Sequence, residues 1–537
     1  MENLKNILNF VFIKLKKERK ILFFVVFLVI LYFSLAIFSK KFLVEVPKNT
    51  GTLYEVVIGE KPQFINPVLG YKKIDLTLIK LIYKPLFEYE NGELKPILAK
   101  SYTLSDDGKK YKIQLKKNQK FEDGVEITVD DILYTLDEIK NPENASYLRP
   151  IWLNVKVNKI DKYTFELILP KKDYYFKRFL EFYPLPKHIW EKSDNFVLSQ
   201  FNLNPIASGD FKINEVIYNN ISVNGKNEKK IDKIILAPNE IKIKFKNFYF
   251  KFYDNINEYL KSDLSVDRDI NWENLYFREK QDELLRLNFK EYKIKQPIEI
   301  NFVIKNNNEN SFLNDIDLRK YIFQVVKAEN NKEIEKIKEN FLKKQKKYSV
   351  GKESGFLEKD KKVVVFSTIV GLNSDQFFRN LAEENKKKLK LAGIQVKNIY
   401  LDDKKYLDVL KSKKFESIIV GFKAGEEYWL PYYFSNLKDI PSGNISGLNS
   451  KDIDNILIKL KSGNLKKAER EKLKNEFLKK IKEKYLVLKL SDLNSYYYLS
   501  KDIENLGLEN IVGGENRFKN IQNWVLEKER VLKIFAK

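Results

Sequence analysis

Few residues in this chain can do covalent chemistry. There is no Cys among 537 residues, and His188 is the single His. Without Cys there is no thiolate nucleophile, disulfide, Cys-ligated zinc, iron–sulfur cluster or lipid-modified cysteine. One His leaves no His-pair metal site, and any Ser-His-Asp arrangement would have to be built on His188. That residue sits in the Pro-flanked turn Leu185-Pro186-Lys187-His188-Ile189-Trp190, with no nucleophile-activating partner in view, so a structural role is expected. The carboxylates Glu426 and Glu427 are adjacent. Neighbours on a strand point to opposite faces, which argues against a general acid/base pair and hence against a hydrolase. With Tyr428 and Trp429 next to them, they offer aromatic walls beside a charge, which suits binding an amphiphilic ligand; packing of Trp429 and Tyr432 into a core is the competing reading. Asp106-Asp107-Gly108 lacks the spaced acidic ligands of a calcium loop and reads as a turn. No cofactor and no metal site are expected.

The elements that must hold such residues are legible as periodicities. Tyr111, Ile113 and Leu115 alternate with Lys112, Gln114 and Lys116, and Tyr163, Phe165, Leu167, Leu169 and Ile298, Ile300, Phe302, Ile304 repeat the period of two. These are half-buried strands. Ile453, Ile456, Leu457, Leu460 and Leu473, Phe477, Ile481, Tyr485 recur at three and four, the spacing of an apolar helix face. In FEDGVEITVDDI, from Phe121, Asp123-Gly124 turns the chain, Thr128 caps a helix and Asp131 completes a capping box. A helix containing Phe378 and Leu389 ends at Gly393, with a strand from Ile394. Mixed elements of this kind make an α/β or α+β protein. With 43% hydrophobic residues the chain has the material for a core. Its charge of +24 is spread along the whole length and interleaved with acids. Arg is sparse, so nucleic acid is not expected as a partner.

From Ile21 to Phe38 the sequence ILFFVVFLVILYFSLAIF carries no charge. As a helix it would extend about 27 Å, close to the bilayer core. Lys5, Lys14, Lys16, Lys17, Arg19 and Lys20 precede it, which places residues 1–20 in the cytoplasm and the bulk of the chain outside. The expectation is a single-pass transmembrane anchor over 21–38; a cleaved signal peptide, cut after Ser34-Leu35-Ala36, is the alternative.

Beyond this segment an ordered series of motifs resembles the family 5 extracellular solute-binding proteins of ABC transporters, the oligopeptide, dipeptide and nickel group. It comprises Phe64-Ile65-Asn66-Pro67, Leu81 to Leu86, GELKPILAKSYTLSDDGKKYKIQLKKNQKFEDGVEITVDDI from Gly92, Leu185 to Trp190, and Pro205 to Lys212. It continues with Asp317 to Lys320, Leu389 to Val396, Phe415 to Phe422, Tyr432 to Asn436, Asn444 to Leu457, and Arg517 to Trp524. Ala207 and Asp210 stand where the family has Gly and Pro, and the stretch between Arg319 and Gly355 is shorter than usual. The family Asp that can pair with a peptide amino group has no clear counterpart after Phe422, where Glu426 or Glu427 can substitute.

The resemblance implies an α/β, periplasmic-binding-protein type II fold, with two lobes, a hinge and an inserted extra domain, preceded here by the transmembrane helix. The expected partition is 39–52 linker; 53–86, 205–300 and 490–537 lobe I; 87–204 inserted domain II; and 301–489 lobe II. It further implies no enzymatic activity, but a membrane-anchored receptor of an ABC importer, capturing oligopeptides or a related small solute by lobe closure and delivering them to permease and ATPase subunits. The expected ligand-binding residues are Trp429, Glu426, Glu427 and Tyr428, with Asn444, Ser446 and Gly447; for the last three an ordinary turn ahead of the helix at Ile453 is the competing reading. Arg319 is expected to act inside its lobe as an ion-pair partner. The alternative function is an envelope protein that keeps the fold and holds anionic polymer, extracellular nucleic acid included, on a basic surface.

Overall fold

The computed structural model of the chain describes residues 43–532 other than 48–51, 91–92, 224–225, 240–242, 244–245, 262–271, 278–288, 307–310, 349–363, 372–375, 424–433, 435–443, 463–464, 500–502, 509–512 and 527; it also describes Phe24, Phe27, Leu28, Ile30 to Tyr32 and Ser34. The strands are β1 (Leu43–Pro47), β2 (Thr52–Ile58), β3 (Phe87–Glu90), β4 (Glu93–Pro96), β5 (Ala99–Leu104), β6 (Lys110–Leu115), β7 (Lys156–Lys159), β8 (Thr164–Ile168) and β9 (Phe211–Val223). They continue with β10 (Lys226–Pro238), β11 (Asn247–Tyr253), β12 (Trp272–Phe277), β13 (Lys290–Ile304), β14 (Val364–Gly371), β15 (Ile394–Leu401), β16 (Ser417–Lys423), β17 (Val487–Leu499) and β18 (Lys528–Leu532). The longer helices are α1 (Lys73–Ile82), α2 (Val129–Lys140), α3 (Ile316–Lys327), α4 (Asn331–Tyr348), α5 (Gln376–Leu391), α6 (Asp403–Ser412), α7 (Lys451–Lys461) and α8 (Lys467–Lys484).

Ten strands form one mixed sheet, in the order β15-β14-β16-β13-β17-β12-β2-β11-β10-β9. Its two central strands organise everything else. β13 and β17 are long and antiparallel, but their ladder breaks in the middle. Lys290–Lys295 pair with Asn494–Leu499, Glu299–Val303 pair with Val487–Asp492, and the register shifts between Lys295 and Glu299. Pro297 lies in that break, where its missing N–H removes no ladder bond. The packing divides at the same place. Ile294 belongs to the core that contains Leu53, Leu78 and Trp524, whereas Ile300 belongs to a separate core with Ile322 and Ile394. One pair of strands thus serves two lobes, with a discontinuity between them.

The first lobe is β12-β2-β11-β10-β9 covered by α1. Its core is continuous with that of a four-stranded antiparallel layer, β5-β6-β8-β7. In β6, Tyr111, Ile113 and Leu115 are buried and the residues between them exposed. Thr128 closes the capping box of α2: its Oγ1 accepts from Asp130 N at 3.2 Å and its N–H donates to Asp131 Oδ2 at 2.8 Å. The second lobe is β16-β14-β15 with α3 and α5 packed on it. A small cluster between α7 and α8 adjoins it, built from Ile453, Ile456, Leu457, Leu460, Phe477 and Ile481. Gly393 ends α5 at φ +86°. Tyr485 lies one residue past α8 rather than on its face, at φ +48°.

The stretch 21–38 requires a correction. Most of it lies outside the described residues. Among the described residues no helix is long and apolar enough to cross a membrane. A span needs about 20 consecutive apolar residues in one helix that satisfies its own backbone. The transmembrane helix of the expected fold class, the membrane-anchored form of the expected function, the single-pass cell-membrane location and the membrane as a partner are therefore not retained.

Candidate ligand-binding cleft

Strand direction locates the site. β2 is parallel to β11 and β12, and β12 is antiparallel to β17, so in the first lobe these three strands end toward the break in β13 and β17. In the second lobe β14 is parallel to β15 and β16, and β16 is antiparallel to β13. Those strands also end at the break, where Lys423 pairs with Ile298. The carboxyl ends of the parallel strands of both lobes therefore converge on the crossover. In open α/β sheets the crevice outside the carboxyl strand ends is where ligands bind, because free backbone groups and loops meet there.

On the first-lobe side this edge is charged. Gly59 N donates to Tyr253 O at 2.8 Å, bringing the ends of β2 and β11 together. Just beyond them, Asp254 accepts from Lys61 Nζ at 3.1 Å and pairs with Lys230, while its N–H donates to Glu258 Oε2 at 2.6 Å. Lys230 holds the Asp254 carboxyl below the usual range. Burial, with the neighbouring Lys230, brings Lys61 below the ordinary lysine range. With Glu258 the cluster holds two ammonium groups and two carboxylates, a balanced ionic patch at the strand ends. On the second-lobe side, Leu401 closes β15 and Asp402 caps α6, accepting from Lys405 N at 2.9 Å.

Behind the edge the first lobe is held by buried polar pairs. Glu55 on β2, fully buried, receives Arg517 Nε at 2.9 Å and Nη2 at 2.7 Å on Oε1, and Tyr497 Oη–H at 2.9 Å on Oε2. Gly513, on the same segment as Arg517, donates its N–H to Lys295 O at 3.0 Å, beside the ladder break. The C-terminal segment thus ties the pivot to the central strand. Ser208 Oγ accepts from Lys84 N at 3.1 Å, and the N–H groups of Ser208 and Gly209 both donate to Ile82 O.

Of the residues expected to bind ligand, the structure describes only Asn444, Ser446 and Gly447. Glu426, Glu427, Tyr428 and Trp429 lie outside the described residues, beginning three positions after Lys423 at the crossover. Asn444, Ser446 and Gly447 lie in a turn against Asn306. Asn306 N donates to Ser446 O at 2.6 Å, Asn444 Nδ2 to Leu448 O at 2.7 Å, and Leu448 N to Asn444 Oδ1 at 2.9 Å. Gly447 takes φ +65°, and a Cβ there would stand 2.8 Å from Asn306 O. Asn306 is eight residues past Ile298, about 26 Å along an extended strand, at the opposite end of the second-lobe sheet. Lys61, Lys230 and Asp254 were not singled out from the sequence. Asp254 directly follows β11 and Lys61 comes three residues after β2, but Lys230 lies within β10, so only the sheet topology brings the three together.

Two other residues find defined partners. His188 Nε2 lies 2.6 Å from Asp123 Oδ2, joining the turn of the capped helix to the Pro-flanked turn. Arg319 is buried inside its lobe, and among the described residues it makes no ion pair within 4 Å; it donates to the carbonyls of Leu313, Asn314 and Lys484 at 3.0–3.1 Å.

Comparison with known proteins gives this architecture a context. Residues 93–326 match the model for bacterial extracellular solute-binding proteins, family 5 middle. The periplasmic alpha-galactoside-binding protein of Rhizobium meliloti is 28% identical over 156 residues, 26% of this chain and 22% of that protein. The chain spans between about a fifth and a third of the length of the curated relatives it matches. The ABC transporter substrate-binding protein CtaP of Listeria monocytogenes has the same fold, with a TM-score of 0.69 at 20% identity over 89% of this chain and 100% of that one. The oligopeptide-binding protein AppA of Bacillus subtilis, solved with a nonapeptide, superposes with a TM-score of 0.64 at 19% identity, covering 90% of this chain and 100% of that one. The two lobes, the hinge and the extra layer are those of the periplasmic-binding-protein type II fold, and the family's members are binding proteins, not catalysts. Through residues 93–326 the chain is homologous to the bacterial extracellular solute-binding proteins of family 5, and it shares the fold of the solved binding proteins.

Proposed function

We propose that this protein is the solute-binding receptor of an ABC importer and that it takes peptides in the crevice at the crossover of β13 and β17. The observation that carries the proposal is the convergence of the parallel strand ends of both lobes on that crossover. A ligand lying there touches both lobes only when they are closed, so binding shifts the population toward the closed state by differential affinity. Peptides suit the site because main-chain hydrogen bonds supply affinity without reading side chains, and water in the pockets tolerates sequence variation. Relatives that bind a galactoside or a nonapeptide support a small-solute receptor and leave the ligand class to experiment. The proposal includes the lobe partition expected from the sequence, with the crossings moved to the break between Lys295 and Glu299 and between Asp492 and Asn494, permease and ATPase subunits as partners, and Trp429, Tyr428, Glu426 and Glu427 as cleft residues. Asn444, Ser446 and Gly447, held in a turn at the far end of β13, are left out of the proposed contacts. Isothermal titration with peptides of graded length tests it. Saturable binding, weakened about tenfold or more by Trp429→Ala without loss of fold, is expected. A folded protein that binds no peptide of any length would sink the peptide assignment.

A further inference from the structure

Among the described residues the inserted layer and the helices α7 and α8 beside the second lobe touch directly. Asp173, Tyr174 and Tyr175, beyond β8, reach the junction of α7 and α8. Tyr174 N donates to Lys461 O at 3.1 Å, and Lys461 Nζ stands 3.7 Å from Asp173 Oδ2. The Arg470 guanidinium lies 3.5 Å above the Tyr174 ring and donates from Nη1 to Tyr175 Oη at 3.2 Å and to Leu460 O at 2.7 Å. Arg470 is only 5% exposed, although α8 is otherwise a Lys/Glu-rich helix whose sequence reads as a solvated face.

We propose that Arg470 is a positioning residue for lobe closure: stacked on Tyr174, it latches the inserted layer to the second lobe across the cleft and sets its resting opening. The geometry suits a latch rather than a permanent weld. It joins bodies whose cores are separate, so rotation about the break in β13 and β17 releases it without disrupting either core. A planar guanidinium held between a ring face, a hydroxyl and a carbonyl has one good geometry, so a small rotation is enough to break it. The inference extends the binding reading, since the latch biases the closure that ligand completes, but its first test needs no ligand.

Because the chain has no Cys, two labels can be placed without background. The double variant Ile160→Cys, Leu478→Cys puts spin labels on exposed positions of the inserted layer and α8. In the unliganded protein with Arg470 intact, a narrow distance distribution is expected. Arg470→Ala and Tyr174→Ala should each shift it to longer, broader distances, Arg470→Lys should fall between because it keeps charge but loses the planar stack, and thermal midpoints should stay close to the parent. Where peptide binds, Arg470→Ala should weaken it about tenfold. An unchanged distance distribution in folded Arg470→Ala or Tyr174→Ala protein overturns the latch. Opening in these variants with no peptide binding at all keeps the latch and overturns the peptide reading alone.

Discussion

Arg517→Met is the perturbation whose cost can be worked out most fully. Glu55 is fully buried and Arg517 is 4% exposed. The carboxylate receives two guanidinium N–H groups and one tyrosine hydroxyl; Arg517 also reaches Thr77 Oγ1 at 3.4 Å and packs 4.4 Å from the Phe518 ring. Burial still outweighs this pairing, so the Glu55 pKa lies above its ordinary value. Removing the guanidinium strands a buried carboxylate with one donor, a loss of about 3–5 kcal/mol. The group's response sets the pH dependence. A carboxyl whose folded pKa is raised retains its stability contribution below the unfolded value and loses it as pH rises through the folded value. In Arg517→Met the folded pKa rises further, so the deficit should be large at pH 8 and smaller at pH 5, where Glu55 takes up a proton. Adding Glu55→Gln should recover part of the loss, making the double variant better than the sum of the singles. Urea unfolding followed by circular dichroism at both pH values is the assay. A deficit under about 1 kcal/mol, a deficit independent of pH, or strict additivity would refute the reasoning.

Three further perturbations probe other parts of the account. Burial raises the Glu122 carboxyl to about 7, so wild-type stability should fall as pH rises from the unfolded carboxylate range through 7. Glu122→Gln should gain about 1–2 kcal/mol at pH 8, after allowing for partial exposure, and nothing below about pH 4; parallel thermal-midpoint profiles would count against this. At Gly209 a Cβ would stand 2.3 Å from the Ile82 carbonyl carbon. Gly209→Ala should therefore cost about 2–3 kcal/mol, and an unchanged midpoint would show that the Ser208-Gly209 turn can move aside. Thr128→Ala removes half of the α2 capping box and should cost about 1 kcal/mol in urea unfolding; a neutral result would mean that Asp131 alone holds the helix start.

Local pattern made much of the fold legible before the structure. The alternation in β6, the capping box at Thr128, the left-handed Gly393 and the buried face of α7 each follow from residues within a few positions of one another. The division of labour within β13 was not legible. Ile298 to Ile304 read as one strand, but nothing in their period shows that Lys290–Lys295 belong to the other lobe, because strand partners are chosen across hundreds of residues. Arg470 was hidden for the same reason: its Lys/Glu-rich surroundings signal solvent, and the tyrosines that bury it come from another layer. The transmembrane expectation over 21–38 is not retained, since among the described residues no helix is long and apolar enough to cross a membrane. At the candidate site, Asn444, Ser446 and Gly447 have the residue types of a polar site. The structure spends the Asn444 side chain and the Ser446 carbonyl on a turn.

The central claim is that both lobes contribute strand ends to one crevice that closes on a peptide. Small-angle scattering of the protein, titrated with a peptide shown to bind by calorimetry, measures that closure directly. The account predicts a radius of gyration that falls with peptide occupancy and saturates at the calorimetric stoichiometry. Tight binding with an unchanged radius of gyration and an unchanged distance between labels on the two lobes would contradict it.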